Sequence, residues 1–179
     1  MTVIEPQPQL GDIGLVRIRG TVGLLIRLGQ WLNGDGFSTQ EHAFVVVGPD
    51  ADGRQQLVEA QPGGARLGLL TEYDDRHVLY VAPAGLTDWQ RAQIAVAAED
   101  LAAARTPYSF LDYLALAVHR FRLPVPGLRR YVAATGHMIC SQLCDLAYQR
   151  AGEQLFADGR WNGYVTPADL GRLLGGEQR

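Results

Sequence analysis

Apolar positions follow two regimes along the chain. In the first half they form short runs bounded by turn residues. Leu10–Arg19 (LGDIGLVRIR) carries Ile13, Leu15, Val16 and Ile18 behind a Gly-Asp turn and predicts a strand. Val22–Leu32 sets Val22, Leu25, Ile26, Gly29 and Leu32 at helical spacing, which predicts a short helix, and residues 33–40 (NGDGFSTQ) read as a loop. His42–Gly48 (HAFVVVG) is almost continuously apolar, the mark of a central strand covered on both faces. Pro49–Gly53 (PDADG) is a turn, and Gln55–Ala60 (QQLVEA) is the strand returning from it. His77–Ala82 (HVLYVA) is a further strand.

The period then changes. Thr87 and Gln90 form a T-x-x-Q capping box ahead of an Ala-rich helix running to about Arg105, where Pro107 stops it. Residues 108 to about 121 predict another helix, and Leu123–Arg130 a proline-interrupted loop. Ile139–Ala151 has apolar residues at 139, 143, 146 and 147 and ends at Gly152, a C-cap signal. Thr166-Pro167 starts a last helix with Thr as N-cap and Pro at N1. Strands first and helices second predict an α+β fold, a central antiparallel sheet with helices packed against it. No repeat or linker divides residues 1–179, so one domain is expected, with 1–9 as a loose lead-in.

Composition narrows the chemistry. The chain has 179 residues, enough for a core without staples, and a formal charge of −3, so no nucleic-acid partner is expected. All 16 basic residues are Arg. Without lysine there is no Schiff base, no P-loop lysine and no Ser–Lys dyad. The longest apolar stretch, Thr21–Leu32, is broken by Gly23, Arg27, Gly29 and Gln30, so no transmembrane segment is expected. The opening MTVIEPQPQLGD has neither a basic n-region nor an apolar h-region, which leads to an expected cytoplasmic setting. Cys140 and Cys144, four apart on one helix, are poorly placed to bridge each other and lack a second pair for zinc. No metal and no cofactor are expected.

Cys140 stands at the start of its predicted helix, at the positive end of the helix dipole and beside free backbone N–H groups. That position suits a nucleophile, whereas the alternative is a buried structural thiol. Cys144, one turn on, falls on the apolar face with Leu143 and Ala147. A thiol nucleophile needs a base. Strand position ranks His42 first, then His137, then His77, while His119 falls near a helix end beside Arg120. Glu59, on the strand returning from the PDADG turn, is the candidate to orient His42, its alternative being a solvated strand residue.

RTPYSFLDY followed by ICSQLCDLAYQRAG resembles the G-x-P-Y … C-S-x-L/F run of NlpC-type papain-like cell-wall peptidases. Here the His strand EHAFVVVG precedes the Cys helix, and LVEAQPGG comes next. That order resembles the circularly permuted branch, the YiiX-like hydrolases and their lecithin–retinol-acyltransferase-like relatives. YVTPADL is similar to the TP-x-D-L end of YiiX-like chains. The resemblance implies a permuted papain-like fold with Cys140 as nucleophile, His42 as base and Glu59 as the polar third member. It sets Tyr108 near the nucleophile, and Ser141 of the C-S-x-L piece joins Tyr108 as a substrate-binding candidate. Arg105 stands where the family has glycine, and the stretch from Tyr108 to Cys140 is longer than in the unpermuted peptidases.

The expected function is a thiol hydrolase cleaving an amide bond, in a small or cell-wall-type peptide, through an acyl-enzyme. One alternative is a lipid acyltransferase or thioesterase with the same triad, motivated by apolar Val22–Trp31 beside the His42 loop. The other is a binding module that kept the fold without turnover. The partner is thus a small-molecule, peptide or lipid substrate, and nothing in the sequence fixes the oligomeric state.

Overall fold

A computed structural model describes residues 7–17, 40–61, 63–106, 140–157 and 165–174. Five strands form one antiparallel sheet: β1 (Ile13–Val16), β2 (His42–Pro49), β3 (Gln55–Gln61), β4 (Gly64–Leu69) and β5 (Val78–Val81). Their order is β4-β3-β2-β1-β5, so β2 takes the central place its apolar run predicts. A 3-10 turn (Leu70–Tyr73) follows β4, and the helices are α1 (Asp88–Ala103), α2 (Cys140–Arg150) and α3 (Pro167–Leu174). The fold is therefore α+β. The helix expected over 22–32, the one over 108–121 and the loop 123–130 lie outside the described residues.

Local chemistry accounts for most boundaries. Asp50 closes the β2–β3 turn, its Oδ1 accepting from the backbone N–H of Asp52 and of Arg54. At the head of α1, Thr87 Oγ1 accepts from Gln90 N–H, and Gln90 Oε1 accepts from Thr87 N–H. This is the capping box the sequence predicts. Thr166 and Asp169 repeat it for α3. Gly152 takes the left-handed conformation just past α2, at φ 86°.

The two faces of the sheet carry separate cores. Ala43, Val45, Val58 and Ala60 meet Ile94, Ala98, Leu143, Cys144, Ala147 and Tyr148 from α1 and α2. Val16, Phe44, Val46, Leu57 and Tyr73 cluster on the other face. Gly14 pairs with Phe44 across β1–β2, and a Cβ there would come within 2.2 Å of the Phe44 ring. The glycine makes room for the aromatic.

α2 is anchored near its C-terminal end. The Tyr148 hydroxyl donates to the Gly11 carbonyl at one end of β1. Val16, at the other end of β1, pairs with His42. The helix spans the sheet from the Gly11 end toward the His42 end, packed on β2, β3 and α1.

β4 and the 3-10 turn occupy residues where the hydrophobic pattern predicts no element. Gly64 and Gly68 dilute that pattern, but both are forced by close approach. A Cβ on Gly68 would meet Glu72 Oε1 at 2.9 Å, and one on Gly64 the Thr106 carbonyl oxygen at 3.0 Å.

Candidate active site

Cys140 is the first residue of α2 and His42 the first of β2. Both are buried, Cys140 with 3% of its surface exposed. The Cys140 thiol is an electrostatic neighbour of the His42 ring, the largest influence favouring the imidazolium. Glu59, completely buried on β3, receives the other side of that ring: His42 Nε2 lies 2.5 Å from Glu59 Oε2. An ionised carboxylate only accepts, so Nε2 donates the proton and Nδ1 is left for the thiol. Cys140, His42 and Glu59 thus form one continuous line from helix to central strand to returning strand.

Register explains why Glu59 reaches His42. Pro49 pairs with Gln55 and Gly48 with Gln56, but beyond the bulge Val46 pairs with Leu57 and Phe44 with Glu59. The extra residue is Val47, and Gly48 beside it has φ 92°. An unbulged hairpin would set Glu59 opposite Val45, whose side chain faces the helices. The bulge turns Glu59 onto the face of His42 and Phe44.

Glu59 has all of its acceptor capacity in use. Oε2 also accepts from the Tyr73 hydroxyl at 2.6 Å. Oε1 accepts from Gln61 Nε2 at 2.7 Å and from Arg66 Nη2, which also bonds Glu72. Two oxygens with four donors are a saturated carboxylate.

These contacts govern protonation. Burial alone would disfavour ionised Glu59, but the hydrogen bond and charge of His42, then Tyr73 and Gln61, bring its pKa down to about 2. For His42, burial opposes the cation. The charge and hydrogen bond of Cys140, then those of Glu59, outweigh it and raise the ring from its ordinary 6.5 to about 9. Cys144 is completely buried, and burial, then the neighbouring Cys140, push its thiol well above the ordinary value.

The remaining candidates separate. His77 is exposed at the foot of β5. Tyr108, His119 and His137 lie outside the described residues. Ser141 is fully buried and its hydroxyl donates 2.7 Å to the Val165 carbonyl. The side chain ties α2 to the segment ahead of α3. Pattern reading missed Tyr73 and Arg66, which converge on Glu59 from a short turn and a glycine-rich strand.

Among the described residues, no group of three or more His, Cys, Asp or Glu side chains is arranged to hold a metal ion. Nor is any helix among them long and apolar enough to cross a membrane. No family model, curated protein or solved structure matches the chain.

Proposed function

We propose that the protein is a cysteine-dependent hydrolase that cleaves an amide bond in a small or cell-wall-type peptide, on a permuted papain-like (NlpC-type) fold. The observation that carries this reading is the buried line from Cys140 at a helix start through His42 to Glu59. A merely structural cysteine needs no imidazole, and a merely structural histidine needs no saturated carboxylate behind it.

In the proposed cycle His42 holds the proton that Cys140 gives up. Cys140 Sγ attacks the amide carbon, and the carbonyl π electrons move to oxygen. That oxyanion faces the free N–H groups at the start of α2. Collapse breaks the C–N bond, and the leaving amine takes the proton from His42. The product is a thioester on Cys140. Water then attacks it, passing a proton to His42. The C–S bond breaks to release the acid and restore the thiolate. Glu59 keeps its charge and holds the ring throughout.

The test is covalent. An epoxide or vinyl sulfone probe is expected to label Cys140 in the wild type and nothing in Cys140→Ala. Failure to label Cys140 rejects the hydrolase and leaves the non-catalytic module. The mass of a trapped acyl adduct then assigns the substrate: an aminoacyl mass fits the amide hydrolase, and a fatty-acyl mass replaces it with the lipid acyltransferase or thioesterase.

A further inference from the structure

Tyr73 closes the 3-10 turn after β4, and only 6% of its surface is exposed. Its hydroxyl is 2.6 Å from Glu59 Oε2, the oxygen that also takes His42 Nε2. Its ring lies roughly parallel to the imidazole, with centroids 6.2 Å apart, and stacks on Phe44 at 5.0 Å. Phe44 has its own place through Gly14. A chain of contacts therefore runs from the floor of the sheet to the carboxylate behind the base.

We propose that Tyr73 is a positioning residue of the Cys140–His42–Glu59 line, holding the Glu59 carboxylate in one rotamer and sharing its charge with His42. The proposal deepens the hydrolase reading and rests on it. Burial, then Glu59, push the Tyr73 phenol upward, so it remains a donor over the whole working range. The other titratable and charged groups around the pair are Cys140 from α2, Glu41 beside His42, Arg66 from β4, and Glu72 and Arg76 around the turn. The Arg76 guanidinium carbon is 5.2 Å from the Tyr73 ring centroid. Arg66 and Gln61 bond Glu59 through Oε1, whereas Tyr73 Oη bonds Oε2, the oxygen shared with His42.

The test is an NMR titration of the His42 ring in the wild type, Tyr73→Phe, Glu59→Gln and the double variant. Phenylalanine keeps the stacking and removes only the hydroxyl. With the carboxylate no longer shared, His42 is expected to bind its proton roughly tenfold more tightly and to lose it at higher pH. In the Glu59→Gln background the same substitution is expected to leave the titration unmoved. Identical titration of wild type and Tyr73→Phe, or a shift that persists without Glu59, overturns the proposal. If Tyr73→Phe does not fold, the wild type decides. A hydroxyl proton held between oxygens 2.6 Å apart gives a downfield resonance that moves in Glu59→Gln. Its absence from the wild type overturns the proposal. Probe labelling of Cys140, run on the same samples, tests the hydrolase reading separately, because it can fail while the Tyr73–His42 coupling stands.

Discussion

Glu59 faces Phe44 across β2 and β3, and that pairing puts its carboxylate on the face of His42. A pairing with Val45 instead would bury a charge among the aliphatic side chains beneath α1 and α2. Such burial costs several kcal/mol, on the order of the whole stability margin of a domain. The bulge at Val47–Gly48 is therefore a condition for both the fold and the site.

Gly48 carries that bulge at φ 92°, and a Cβ there would lie 3.2 Å from Leu10 Cδ1. Gly53 in the adjoining turn has φ 80° with nothing within 4 Å of a Cβ. Gly53→Ala is expected to cost about 1 kcal/mol from backbone strain alone. Gly48→Ala is expected to cost more and to slow probe labelling of Cys140, because the register of Glu59 loosens. Urea denaturation of the two variants checks the first point and labelling rates the second. Equal costs and unchanged labelling would show that the bulge does not govern the site.

The two cysteines provide a test on one helix. Cys144 is completely buried, and its thiol is pushed up by burial and then by Cys140. Iodoacetamide at neutral pH is expected to modify Cys140 at least tenfold faster than Cys144, since reaction requires both a thiolate and access. Peptide mapping of the alkylated protein reads this directly. Faster modification of Cys144 contradicts the site geometry.

Much of this site was legible in local sequence. Thr87/Gln90, Thr166-Pro167 and Gly152 are caps whose chemistry lies within four residues, and the structure places each at its helix end. The apolar run after His42 revealed a central strand for the same local reason. What stayed hidden depends on contacts distant in sequence. Tyr73 meets Glu59 fourteen residues away, from a turn with no periodicity. β4 escaped the hydrophobic pattern because Gly64 and Gly68 answer to Thr106 and Glu72 rather than to a core. The hairpin made a Glu59–His42 meeting possible, but only the bulge selected it.

Arg105 shows what a side chain costs at a left-handed helix end. Its φ is 47°, the one positive value among non-glycine residues described. It ends α1 with Arg105 N–H bonded to the Ala102 carbonyl and Thr106 N–H to the Leu101 carbonyl. This is the Schellman arrangement, which favours glycine because a Cβ in the left-handed region costs about 1 kcal/mol. Arg105→Gly is expected to raise stability by about 0.5–1 kcal/mol, part of the relief being offset by greater freedom of the unfolded chain. Thermal denaturation tests it. A loss of stability would mean that the arginine side chain contributes more than its backbone strain costs.

The pH dependence of stability tests Glu59 without any substrate. Its pKa is about 2 in the folded protein against an ordinary 4.5. Between those values the unfolded chain binds more protons at this group than the folded one, so stability rises with pH. The contribution is complete above 4.5 and is lost as the pH falls through about 2. Its size is on the order of 3 kcal/mol. Glu59→Gln removes that contribution because an amide does not titrate. The variant is therefore expected to be less stable than the wild type at pH 6, with the two curves converging as the pH falls toward 2. Asp50, held down by its hydrogen bonds to Arg54 in the β2–β3 turn, acts equally in both proteins and cancels in the difference. Urea midpoints measured from pH 6 downward give the comparison. Parallel curves would mean that Glu59 carries no depressed pKa and that His42 is oriented by something else, whereas convergence ties acid stability to the carboxylate behind the base.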